Sequence, residues 1–231
     1  MWLICSSIGR KLLMSISGIF LILFLTFHMA MNLTALIPAN AEGVYVYNVI
    51  CEFLGANWYA LVGTKVLALG FLLHIVLAFV LYWQNLKARG NEAYAVTEKP
   101  KSVEWASQNM LALGIAVAAF LLWHLYHFWA KMQMIEVLHM FDEGVDISRA
   151  HDGIYHIKNT FSYPVVSLLY LVGLGALWFH LTHGFWSALQ SIGINNKVWF
   201  ERWRCIGNIY VTLVILGFAL VVVWFYILSI I

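Results

Sequence analysis

Charge is what this chain of 231 residues has least of: 10% is Asp, Glu, Lys or Arg, while 63% is hydrophobic. Soluble domains typically carry about 25% charged and 45–50% apolar residues, so a soluble globular protein is excluded. Disorder, which needs high charge and low hydrophobicity, is excluded with it. Cysteine is scarce as well. Cys5, Cys51 and Cys205 lie far apart, and they form no CxxC metal site, no CxxCH motif and no disulfide framework. An iron–sulfur cluster takes about four thiolates, so this chain cannot hold one alone. The net charge of +2 is small and scattered, which argues against a nucleic-acid partner. There is no flavin-binding glycine motif, no repeat of fixed period and no sign of a second domain.

What remains is an all-α integral membrane protein. A helix needs about 20 apolar residues to cross the hydrocarbon core, and five such runs occur, roughly at 12–37, 58–84, 107–130, 164–190 and 207–231. Residues 1–231 therefore read as one membrane domain, a five-helix bundle in contact with lipid. The first run is too long for a signal peptide and lacks a small-residue cleavage site. Lys and Arg in the short loops set the direction. Arg10, Lys11, Lys87, Arg89, Lys99, Lys101, Lys197, Arg202 and Arg204 fall on one side. The segment 38–57 has no basic residue, and 131–163 carries Glu136, Asp142, Glu143, Asp146 and Asp152 against Lys131, Arg149 and Lys158. The expectation is a cytoplasmic N-terminus, an outside C-terminus and residence in the inner (cytoplasmic) membrane of a cell. The segment 131–163 is long enough for a short surface helix or a cover over a pocket.

Nine histidines are many for so apolar a chain. Six lie within spans: His28, His74, His124, His127, His180 and His183. Ionisable residues at membrane depth are costly and functional by default. The plain alternative for any one of them is a neutral imidazole bonded to a neighbouring helix. Four spans that each supply at least one histidine shift the weight to a shared role.

Depth sorts them. At 1.5 Å per residue, His28 lies roughly 15 Å from the outer end of its span and His124 roughly 10 Å. His74 and His180 each lie 16 residues into their spans, or roughly 24 Å deep. Two layers result, each drawing on two helices. Depth does not choose between His180 and His183. His127 sits within a turn of the interface, where a hydrogen bond to a propionate, a loop or water is its expected role. His139, His151 and His156 read as surface residues of the outer segment. Zinc would bring three or four ligands to one ion, whereas ligands in twos fit the axial positions of haem iron. Without CxxCH the haem is non-covalent, hence b-type. Two axial histidines leave no open iron position and point to electron transfer.

Several motifs carry a family resemblance. They are Ser15-Ile-Ser-Gly-Ile-Phe and Phe27-His28, Phe71-Leu-Leu-His74, Trp123-His124, and Phe179-His-Leu-Thr-His-Gly-Phe-Trp-Ser187 followed by Ser191-Ile-Gly193. Over nearly the whole chain the sequence resembles the five-span dihaem cytochrome b subunit of succinate:menaquinone and quinol:fumarate oxidoreductases. The resemblance implies two haem b groups. His28 and His124 would hold the distal one, His74 and His180 the proximal one. It implies a flavoprotein partner with FAD and an iron–sulfur partner on the cytoplasmic face. It also implies a quinone, with menaquinone favoured, near the distal haem. A dimer of the complex is left open. One branch of the family has a glutamate two residues before the fourth-span ligand; here that position is Trp178.

Quinone chemistry moves protons, and Glu52 is the candidate proton carrier, with Lys65, Tyr47, Asn32 and His127 on the same side. The plain alternatives are an interfacial carboxylate for Glu52 and a snorkelling stem for Lys65. Arg10, Lys11, Ser15 and Ser17 are candidates to meet the inner haem propionates, with Ser107, Gln108 and Asn109 nearby. They equally fit helix capping and positive-inside signals. Two other functions are carried forward: a dihaem anchor of a hydrogenase or formate dehydrogenase, and a haem-free transporter or assembly protein.

Overall fold

A computed structural model describes residues 6–38, 45–55, 57–89, 105–194 and 196–231. The described residues are helical, with no strand beyond an isolated bridge between Pro38 and Tyr45. Five helices are long and apolar enough to cross a membrane: Ser7–Leu33, Trp58–Arg89, Met110–His127, Pro164–Ser191 and Phe200–Ile230. They are called the first to fifth spans below.

Local chemistry explains where they start. The Ser6 side chain accepts a hydrogen bond from the Gly9 N–H at 2.9 Å, which satisfies one of the donors left open at a helix start. Pro164 opens the fourth span, where its missing N–H costs nothing. Three spans outrun the apolar runs that announce them, the second running on to Arg89. The first begins at Ser7, so Arg10 and Lys11 are helical. The fifth begins at Phe200, and Arg204 pairs with Glu201 at 3.2 Å in its first turns. Hydropathy marks only the apolar middle of a span. The backbone ladder continues through Arg and Lys, which are good helix formers.

The segments between the spans also carry structure. Residues 38–57, read as a loop, contain the helix Val46–Gly55. The segment 131–163 holds the helices Gln133–His139 and Gly153–Phe161. The second of these is capped by Asp152, whose side chain accepts from the Tyr155 N–H at 3.0 Å. Its residues Ile154, Ile157 and Phe161 are buried in the core, so it closes one end of the bundle instead of lying on its surface.

Consecutive spans run antiparallel. Ser17 meets His74 while Phe24 meets Phe71. Phe120 and His124 both lie against Tyr170, and Gly114 lies beside His180. Trp178 bonds Thr212 while Phe185 crowds Gly207. The fourth and fifth spans form the centre, with Val211 and Phe225 each 1% exposed. A side-chain carbon at Gly207 would come within 2.6 Å of Phe185, and one at Gly217 within 2.6 Å of Met29. Small residues at such crossings let membrane helices approach closely. The second span sits at the margin and buries none of its described side chains.

Candidate functional site

The fold pairs the membrane histidines across helices. The rings of His28 on the first span and His124 on the third lie 5.8 Å apart, centre to centre. Those of His74 on the second and His180 on the fourth lie 6.4 Å apart. All four are half-buried. Two imidazoles on opposite sides of one first-row metal ion, each bonded at about 2.0–2.1 Å, hold their ring centres roughly 6 Å apart. Both pairs have that spacing.

Three helices place the pairs at two levels. On the first span, eleven residues separate Ser17, which touches His74, from His28, or about 16 Å of helix rise. On the third, ten residues separate Gly114, beside His180, from His124, or about 15 Å. On the fourth, ten residues separate Tyr170, which packs on His124, from His180, again about 15 Å.

The surroundings differ between levels. Around His28 and His124 stand Phe24, Phe128, Phe218 and Tyr170. Asn32 Nδ2 donates to the His28 carbonyl at 2.7 Å and lies 3.5 Å from both ring nitrogens. The other level is barer. Side-chain carbons at Gly18 and Gly114 would lie 3.5 Å from His74 Cε1 and 3.8 Å from His180 Cε1. Glycines therefore line the edges of both rings. His180 Nδ1 is buried with no hydrogen-bond partner among the described residues.

His127 and His183 stand apart from the pairs. His127 Nδ1–H donates to the Trp123 carbonyl at 3.0 Å, and its ring packs on Trp123. His183 lies edge-on to Trp186, with ring centres 4.9 Å apart. No family model, curated relative or solved structure matches this chain. The description of the site therefore stands on its own residues. Among the described residues no cluster of three or more His, Cys, Asp or Glu could hold a metal ion. The donor sets are histidines in twos, which fit an ion whose remaining ligands come from a macrocycle.

The other sequence candidates are spread over both ends. Ser15 is buried and donates to the Lys11 carbonyl at 3.0 Å, within its own helix. Arg10 is half-buried on the first span. Glu52 is exposed on the helix Val46–Gly55, and Lys65 is exposed on the second span. Tyr47 and Cys51 hydrogen-bond to each other beneath Gly153. Burial pushes the Cys51 thiol up to about 11 and raises the Tyr47 hydroxyl as well. Neither ionises near neutral pH.

The end segment corrects one expectation. His156, read as a surface residue, is 6% exposed, and its Nε2–H donates to the Arg149 carbonyl at 2.9 Å. Helix Gly153–Phe161 turns that face into the core. His151 instead pairs with Glu136 at 2.9 Å, and His139 donates to the Val145 carbonyl.

Tyr170 is the residue that sequence reasoning missed. It is 4% exposed, packs against both His124 and His127, and its hydroxyl has no partner among the described residues. The signal was a single hydroxyl-bearing ring within an apolar run, which periodicity does not distinguish from core.

Proposed function

We propose that this chain is a dihaem b membrane anchor that carries electrons between an iron–sulfur partner and a quinone. The observation that carries the reading is the meeting of His28 with His124 and of His74 with His180, at two levels and with spacings suited to axial ligation. His28 and His124 would hold one haem, and His74 and His180 the other. Haem held by these histidines would supply a one-electron iron couple, and a pair of histidine ligands would favour electron transfer over oxygen chemistry.

The chain's own part is to hold and orient. Half-buried imidazoles on four helices fix the two levels about 15 Å apart. The end that carries Arg10, Lys11, Lys87, Lys197 and Arg202 has the excess of basic residues expected of a cytoplasmic face. On this reading the flavoprotein and iron–sulfur subunits of a succinate:quinone or quinol:fumarate oxidoreductase dock there, in a cytoplasmic membrane. The quinone, menaquinone by resemblance, then lies toward the opposite end. That end holds Glu52, Asn32, His127 and Tyr170.

A reduced-minus-oxidised spectrum of the purified membrane subunit tests the reading. Two b-type haems per chain are expected, together with copurification of a flavin-bearing and an iron–sulfur subunit. A subunit without haem absorption refutes it.

A further inference from the structure

Among the four paired imidazoles, His74 is the one with a ring nitrogen bonded at close range to another helix among the described residues. Ser17 Oγ lies 3.1 Å from His74 Nδ1. The serine hydroxyl has a single proton and also lies 2.9 Å from the Met14 carbonyl, to which it can donate. When it does, its oxygen accepts from the ring: Nδ1 then carries the imidazole proton, and Nε2 keeps a lone pair available to a metal. The adjacent Gly18 lies along Cε1 of the same ring, so the Nδ1–Cε1 edge of His74 rests on the first span. By contrast, His180 Nδ1 has no partner, and Asn32 stands at 3.5 Å from the His28 ring.

We propose that Ser17 is a positioning residue for His74: through Nδ1 it sets the tautomer and ring direction of one axial ligand on one of the two haems. This goes beyond the haem reading, on which it rests, and departs from the expectation that Ser17 meets a propionate. An N–H donated from a ligating imidazole to an outer partner raises the basicity of the ligand, and loss of such partners typically costs about 10–100-fold in metal affinity. A more basic ligand favours ferric over ferrous iron. Removal of the hydroxyl should therefore raise the midpoint potential of that haem alone. A tenfold change in relative affinity corresponds to about 59 mV for one electron.

The experiment is a potentiometric titration of both haems in the intact membrane complex, with electron paramagnetic resonance of the low-spin ferric signals. It compares wild type, Ser17→Ala and Ser17→Thr. His74→Ala identifies the haem concerned. Expected is an upward shift of about 59 mV, or a tenfold fall in occupancy, confined to that haem in Ser17→Ala and reversed in Ser17→Thr. Unchanged potentials and signals in Ser17→Ala overturn the proposal. So does a shift of the other haem, a change at both, or a Ser17→Thr protein that behaves like Ser17→Ala. A wild-type subunit without haem refutes the reading beneath it, which separates the two failures.

Discussion

His124→Ala set beside His127→Ala tests the pairing most sharply, because the two histidines share a helix and differ by three residues. Three residues are about 4.5 Å of rise. That displacement is more than twice a metal–nitrogen bond of about 2.0–2.1 Å. For His127 to replace His124, a macrocycle or the third span would have to slide by that amount through the packing of Phe128 and Tyr170. His127 would also have to release the Trp123 carbonyl, to which its Nδ1–H donates at 3.0 Å. Neither is expected. His124→Ala should leave one haem per chain, so the haem absorbance falls by about half, as expected of one bis-histidine site lost out of two. The pair on His74 and His180 stays intact, because it draws on other helices about 15 Å away. His127→Ala should keep both haems. Pyridine haemochrome quantitation against protein, on membranes with equal amounts of folded subunit, reads the outcome. Two haems in His124→Ala, or one in His127→Ala, would show that the ring pairing does not select the ligands.

Other consequences concern the end formed by residues 45–55 and 131–163, and the contact between the fourth and fifth spans. If Glu52 exchanges protons with a quinone, Glu52→Gln abolishes quinone turnover while both haems remain in the spectrum, and normal turnover rejects that role. Burial lowers the pKa of His156 below its ordinary value, so an undocked helix Gly153–Phe161 takes up a proton before the docked one does. Stability from docking is then complete above the ordinary histidine range and falls as pH drops through it. Hydrogen-exchange protection of residues 153–161, taken relative to the intrinsic rate at each pH, should fall between about pH 7.5 and pH 5, the span that brackets an ordinary histidine, and His156→Gln should flatten that dependence. Trp178 Nε1–H donates to Thr212 at 2.9 Å. Trp178→Phe should cost about 0.6 and at most about 1.7 kcal/mol, the range for hydrogen bonds between membrane helices; a double-mutant cycle with Thr212→Val, read by unfolding in detergent, isolates that bond.

The five long apolar helices were legible from composition and run length, since a single segment satisfies its own backbone inside hydrocarbon only as a helix. Rise per residue alone sorted the histidines into one layer with His28 and His124 and another with His74 and either His180 or His183, because depth is a one-dimensional quantity. Rotation about the helix axis is not. Which face each ring takes depends on the neighbours across the interface, so depth left His180 and His183 undecided. The fold turns His180 toward His74 and leaves His183 against Trp186. The helix Val46–Gly55 was out of reach, being too short to register as a span, and a short helix was expected in 131–163 without the core packing that Gly153–Phe161 shows. They are held by distant partners, as where Asn48 donates to Asp152 at 3.0 Å and accepts from the Ile154 N–H at 2.9 Å. Ser17 against His74 and the buried Tyr170 hydroxyl beside His124 belong to the same class. The chain alone determined that histidines would stand at two depths in a membrane bundle. Which side chains face them was decided only when five helices packed, because a polar group's partner in hydrocarbon is whatever the neighbouring helix presents.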